Sequence, residues 1–244
     1  MDNSSNSGLK PQKYEGKLLA PIWHTFVFIL ILAIIVVLGV YWQNIPTPTQ
    51  VNSQKHSSSL PLYLSLIACE WLLAYFVWFG LKLGKNIKVH DLIGGRWINW
   101  KKILLDFGIA MSFWIVWIGV EMIVKYFLGP DSAKSVNVLL PKGHLEIIAW
   151  ILLSISAGIC EEFVYRGYLQ GQILVLTGNR FAAVLIQGVI FGISHGYQGF
   201  KQVIVISVFG IFYGVLAIWR NSLRPNMISH AWGDIFSGIL SKFI

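Results

Sequence analysis

The chain has 244 residues, of which 55% are hydrophobic and only 12% charged. A soluble domain carries about 25% charged residues, so the composition excludes an ordinary soluble enzyme and points to one helical bundle in lipid. The formal net charge of +8 does not indicate nucleic acid, because the basic residues sit in short segments between apolar runs, which is the pattern of membrane topology.

In chain order, residues 1–20 read as a polar N-terminal tail rich in Ser, Asn, Lys and Gln. Apolar runs follow at about 22–42, 62–81, 103–128, 145–169, 181–199, 202–219 and 226–243. The expected fold class is therefore all-α, a polytopic transmembrane helix bundle of about seven spanning helices, with room for an eighth. The first run, Ile22–Val40, is too long for a signal-peptide core and has no small-residue cleavage site after it, so it reads as a retained span. The segment Pro46–Ser59, rich in Pro, Ser and Thr, reads as an irregular loop. Residues 21–140 form the N-terminal transmembrane helices, and residues 141–244 form a second bundle that carries the chemistry. Cys69 and Cys160 both fall inside apolar runs, so no disulfide framework is expected.

The basic residues set an orientation. With the N-terminus cytoplasmic, the inner segments hold twelve Lys and Arg residues and the outer segments six, leaving Arg166 within a helix. This bias places the N-terminus inside and, with seven spans, the C-terminus outside.

A charge near the bilayer centre costs roughly 2.5–3.5 kcal/mol on insertion scales, so each one needs a reason. Glu70 and Glu121 stand alone in their runs, and a buried interhelical hydrogen bond is the plain structural reading of both. Asp106 lies near a helix start with Lys102 four residues away. The fourth run differs, reading Ala157-Gly-Ile-Cys-Glu161-Glu162-Phe-Val-Tyr-Arg166-Gly. Adjacent helical residues point about 100° apart, so Glu161 and Glu162 face different neighbours. Glu162 and Arg166 are four apart and pair on one face. Glu161 is left without a local partner, as a general base requires. The fifth run ends Phe191-Gly-Ile-Ser-His195-Gly, and the seventh opens Pro225-Asn-Met-Ile-Ser-His230-Ala-Trp-Gly-Asp234. A carboxylate such as Asp234, four residues from His230, fixes an imidazole's tautomer and stabilises its protonated form.

One shared, water-filled site between these helices accounts for all six side chains together. Glu161 is expected roughly 12 Å from the cytoplasmic end of its helix and His230 roughly 6 Å from its own, so a cavity opening toward the cytoplasm reaches them. Gly192, Gly196 and Gly199 suggest close helix approach and a non-helical mouth over Ser194–Lys201.

The patterns Glu161-Glu162-x-x-x-Arg166, Phe191-x-x-x-His195 and His230-x-x-x-Asp234 resemble the three motifs of the CPBP family, also called the Abi or CAAX protease family. It includes CAAX prenyl endopeptidases and bacterial intramembrane proteases linked to bacteriocin self-immunity. The resemblance covers about residues 145–240. It implies that Glu161 activates the attacking water, His195 helps hold it, Glu162 and Arg166 brace the site, and His230 with residue 234 stabilises the oxyanion. That last position is often Asn in the prenyl endopeptidases and is Asp234 here. An ionised Asp cannot donate to an oxyanion, so Asp234 is either protonated or only orients His230. The resemblance also raises the question of metal. The chain has no His-Glu-x-x-His helix, but Glu161, His195 and His230 offer a donor set for zinc with an open position.

The expected function is that of an intramembrane endopeptidase of a bacterial cell membrane, acting beside lipid on a peptide or a lipid-modified protein. Two rivals make distinct predictions. A non-catalytic immunity or scaffold protein has no need of every motif acid and base. A proton- or ion-coupled transporter has Glu70 and Glu121 lining a path with the C-terminal cluster, whereas in a protease both lie off the site.

Overall fold

The structure, a computed structural model, describes residues 18–44, 59–84, 87–94, 97, 99–129 and 140–240. Most of the expected polar tail and of the expected loop Pro46–Ser59 lies outside the described residues. The helices are α1 (Ile22–Asn44), α2 (Leu60–Leu83), a short α3 (Val89–Ile93), α4 (Trp100–Leu128), α5, α6 (Arg180–Ser194), α7 (Phe200–Arg220) and α8 (Arg224–Leu240). Helix α5 is continuous over His144–Thr177. Among the described residues every regular element is helical. Helices α1, α2, α4, α5 and α7 are long and apolar enough to cross a bilayer, which makes this an integral membrane protein. Helices α6 and α8 are shorter, at 15 and 17 residues.

Burial separates wall from centre. Only 17% of the apolar window of α1, of α2 and of α4 is buried, against 56% in α5. The outer helices turn residues such as Phe26, Leu30, Trp71, Leu72, Met122 and Tyr126 outward, as a lipid-facing surface requires.

Local chemistry sets the ends of α5. Glu146 accepts backbone hydrogen bonds from Lys142 and Gly143 at its own helix start and from Ser59 before α2. This ties α2 and α5 together at one level. At the far end Gly178 is left-handed, with φ 64°, and Asn179 caps α6 by accepting from the amides of Phe181 and Ala182. The turn is short, so α6 runs back along α5 and carries His195 toward the level of Glu161. Residues 162–169 of α5 are wound as a π-helix, and such bulges re-aim side chains. The helix runs eight residues past its expected end at 169. Glu161 therefore lies roughly 24 Å from the Thr177 end, not 12 Å, taking about 1.5 Å for each of sixteen residues.

The N-terminal helices pack directly on this centre. Tyr63 of α2 lies edge-on to Trp150, with ring centroids 5.6 Å apart, over Ala149 and Leu153. From α1, the fully buried His24 joins a directed chain. Gln172 donates to the Thr25 hydroxyl at 3.0 Å, which lies 2.9 Å from the Tyr168 hydroxyl, itself 3.0 Å from His24 Nδ1. The carbonyl of Phe76, 3.0 Å from His24 Nε2, can only accept. Nε2 therefore carries the proton and Nδ1 accepts from Tyr168. Asp106 does not rely on Lys102. It binds Arg220 at 2.7 Å and Trp97 Nε1 at 2.9 Å, clamping α4 to α7.

Small residues let the central helices touch. A Cβ on Gly188 would fall 2.6–2.7 Å from Ile211, and one on Gly192 would collide with Ser207 and Val203. The α6–α7 pair thus meets almost backbone to backbone. Helix α8 crosses α5 at Gly158, where a Cβ would stand 2.8 Å from Ala231 and from the Met227 carbonyl. Gly158→Ala is accordingly expected to cost about 1–3 kcal/mol of stability through overpacking and to reduce any activity that depends on α8. An unchanged unfolding midpoint in detergent would refute that crossing.

Candidate active site

The six side chains singled out by motif meet at one place, brought there by α5, α6 and α8. Glu162 is the floor. Its side chain and that of Arg166 are fully buried, with Arg166 Nη1 3.1 Å from Glu162 Oε1. The rest of the guanidinium lies against ring faces, 4.2 Å from the centroid of Phe191 and 5.5 Å from that of Phe209, a cation–π setting for a buried charge. Glu162 Oε1 also takes His230 Nδ1 at 2.8 Å, and Oε2 accepts from Asn226 Nδ2 at 3.3 Å. Glu162 opens the π-helical stretch, and its one carboxylate meets Arg166 on its own helix and His230 on α8 at once.

Both imidazoles are oriented from behind. His195 lies just past the last residue of α6 and has Nδ1 2.9 Å from the Phe191 carbonyl. That oxygen only accepts, so Nδ1 carries the proton. Glu162 does the same for His230. The expectation that Asp234 fixes the His230 tautomer is therefore corrected. Glu162 holds Nδ1, while Asp234 Oδ2 stands 3.6 Å from Nε2. With both Nδ1 atoms engaged, both Nε2 atoms face Glu161. His195 Nε2 is 3.9 Å from Oε1 and His230 Nε2 is 3.7 Å from Oε2. These distances exceed a direct hydrogen bond, so the three groups frame a space that a small polar molecule spans.

Exposure rises in one direction. Side-chain exposure is 0% at Glu162, 6% at His230, 20% at Glu161 and 43% at Asp234. Asp234 lies toward the His144 end of α5, since its carbonyl accepts from Trp150 at 2.9 Å. The site therefore opens on the His144 side, and residues 162–173 are buried toward Thr177. The expectation put the opening at the end of this helix that follows Arg166, whereas exposure rises toward its His144 end; the membrane side of that end follows from the orientation of the chain. The segment Ser194–Lys201, expected to be non-helical, is mostly helical, with a 3-10 turn over Gly196–Gln198 that ends at Gly199 with φ 96° and packs beside Val36 and Gly39 of α1.

The two isolated carboxylates behave differently from each other. Glu121 forms an ion pair with Lys125 on its own helix. Glu70 was expected off the site in a protease, and this is corrected. It faces α5 beside Ser156 and lies within electrostatic reach of Glu161, His230 and Asp234. Asn226 was also missed, although it stands four residues before His230 as Asp234 stands four after. The spacing Asn226-x-x-x-His230-x-x-x-Asp234 was the available signal.

A metal was tested against these residues. Glu161, His195 and His230 have the right donor chemistry, and each His is oriented by a hydrogen bond at Nδ1, as metal ligands commonly are. Their Nε2 atoms stand 3.9 and 3.7 Å from Glu161, somewhat wider than the roughly 3.3 Å between two ligands of a tetrahedral zinc, and among the described residues no three His, Cys, Asp or Glu side chains form a group placed to hold a metal ion.

Residues 143–236 match the family model described as Rce1-like, the type II CAAX prenyl endopeptidases. The match agrees with the CPBP-family resemblance of the three motifs, includes all six predicted site residues and excludes α1–α4. Comparison with curated proteins and with solved structures finds no match.

Proposed function

We propose, from the Rce1-like character of residues 143–236, that this protein is an intramembrane endopeptidase in which Glu161 activates water without a metal. The observation that carries the reading is the convergence of two oriented Nε2 atoms on one partly open carboxylate, at 3.7 and 3.9 Å. A water placed among them donates one hydrogen to Glu161 and the other to His195 Nε2. A lone pair is then left to attack a peptide carbonyl. Glu161 takes the proton as the carbon–oxygen bond forms. His230, when it carries a proton on both nitrogens, donates from Nε2 to the oxyanion, with Glu162 holding Nδ1 and the nearby Asp234 carboxylate stabilising the ring's positive charge. Glu162, Arg166 and Asn226 hold His230 in place. The presence of every motif acid and base around one point disfavours a silent scaffold. The pairing of Glu121 with Lys125 removes one half of the transporter's predicted path.

The test is cleavage of a peptide library by purified protein, with Glu161→Ala and His195→Ala alongside the wild type. Undiminished cleavage in both variants sinks the mechanism.

Topology bears on the substrate. Lys88→Cys, in the segment between α2 and α4, is expected to resist a membrane-impermeant thiol reagent on intact cells, since the charge bias places it inside. The mouth would then face outward, which suits a peptide precursor or an exported segment. Ready labelling would invert the protein and turn the mouth to the cytoplasm, where a prenylated C-terminus resides.

A further inference from the structure

We infer that Tyr197 is a positioning residue of the endopeptidase proposed above, acting on His195, and that through it α1 takes part in the site. Tyr197 lies in the 3-10 turn Gly196–Gln198 that follows His195, and α1 lies outside the residues that match the family model. The need for such a residue follows from where His195 stands. It comes after the last residue of α6, so no further helical turn confines its ring. Among the described residues, hydrogen bonds tie that ring to Phe191 and Ser194, both at Nδ1. A ring held at one atom can still tilt about it. The atom that swings is Nε2, which faces Glu161 at 3.9 Å, and a small misplacement of a reacting group costs rate.

Rings supply the second constraint. Phe191 meets the imidazole with centroids 4.8 Å apart and planes at 62°, and Phe191 is itself fixed against the Arg166 guanidinium. Tyr197 is a second ring, its centroid 6.1 Å from that of His195 and its plane tilted by 32°, within the range of about 4.5–7 Å at which aromatic rings attract. Tyr197 is held at both ends. Gln198 Nε2 donates to its hydroxyl at 3.0 Å. At the other end its Cβ lies against α1, where a Cβ on Gly39 would stand 3.5 Å away. Val36 closes on the same turn, 3.3 Å from where a Cβ on Gly196 would be. Support therefore passes from α1 to Tyr197, from Tyr197 to the imidazole, and so to Nε2.

The test reads the ring directly. Nitrogen-15 shifts of the imidazoles report which nitrogen carries the proton, in purified protein in detergent at a pH where the rings are neutral. The His195 signals are assigned by their absence from His195→Ala. Wild-type His195 is expected in the single Nδ1–H form that the Phe191 carbonyl selects. Tyr197→Leu removes the ring but keeps an apolar side chain. It is expected to show a mixture of Nδ1–H and Nε2–H forms, and to lower kcat about ten-fold at unchanged KM, the upper end of what one aromatic contact contributes. Tyr197→Phe restores the ring and is expected to bring both readouts most of the way back. Gly39→Val presses methyl groups on Tyr197 and is expected to resemble Tyr197→Leu. A single Nδ1–H form that persists in Tyr197→Leu, or a Tyr197→Phe variant as disturbed as Tyr197→Leu, overturns the inference. An undisturbed His195 in Gly39→Val overturns the share given to α1. The proton's position is read without turnover, so failure here is distinguishable from failure of the endopeptidase reading, which rests on Glu161→Ala.

Discussion

Glu161→Ala is expected to lower peptide cleavage by about 10²–10⁴-fold, the range a positioned general base contributes, while leaving the fold intact. The second half follows from where Glu161 sits. It is partly exposed and makes no contact with its site partners shorter than 3.7 Å, so its removal breaks no tight bond and leaves no buried charge unpaired. His195→Ala is expected to be nearly as damaging to turnover and equally mild in stability, because its ring is anchored only within its own helix end, to Phe191 and Ser194. The measurement is kcat/KM together with the unfolding midpoint of the same preparations. Low activity with an unchanged midpoint is the signature of the proposed chemistry, whereas parallel loss of both would make these residues structural. A chelator arm belongs in the same experiment. Activity is expected to persist, and loss of cleavage restored by zinc would assign Glu161, His195 and His230 to a metal after all.

What could be read from the sequence follows the physics of each signal. The seven apolar runs became helices because a helix satisfies all its backbone groups within one segment in lipid, and long unbroken apolar runs of that kind are visible in the sequence alone. The i,i+4 pairing of Glu162 with Arg166 was equally legible, being a property of one helix. What escaped was anything decided between helices. The partner of His230 Nδ1 is Glu162 of α5, not Asp234 of its own helix, because α5 and α8 cross at Gly158 and bring the two together, and no i,i+4 spacing records a crossing between helices. Glu70 is eighty-six residues before Ser156 in the chain, and only the α2–α5 contact, set by Glu146 and Tyr63, makes them neighbours. The end of α5 at which the site opens was hidden for a related reason. It depends on how far α5 continues past Arg166, and a chain boundary at Gly178 is weaker evidence than an apolar run.

Glu162 should prove the opposite of Glu161, a residue whose loss is felt first in stability. Its carboxylate is the meeting point of Arg166, His230 and Asn226, and no water reaches it. Glu162→Ala would leave a guanidinium 2% exposed with only ring faces around it. Breaking one side of a buried ion pair costs about 3–5 kcal/mol, so Glu162→Ala is expected to lower the unfolding midpoint sharply. Glu162→Gln tests the cause, since it keeps the volume but brings an amide donor toward three other donors. The decisive comparison is the double variant Glu162→Gln with Arg166→Met. Removing both charges together lifts the main penalty, because replacing a whole buried pair is far milder than orphaning one member. The double variant is therefore expected to recover most of the midpoint lost in Glu162→Gln, yet to remain poorly active, because His230 Nδ1 no longer meets a carboxylate. A double variant as unstable as the single one would mean that the floor of the site is held by shape and hydrogen bonds, with the ion pair contributing nothing.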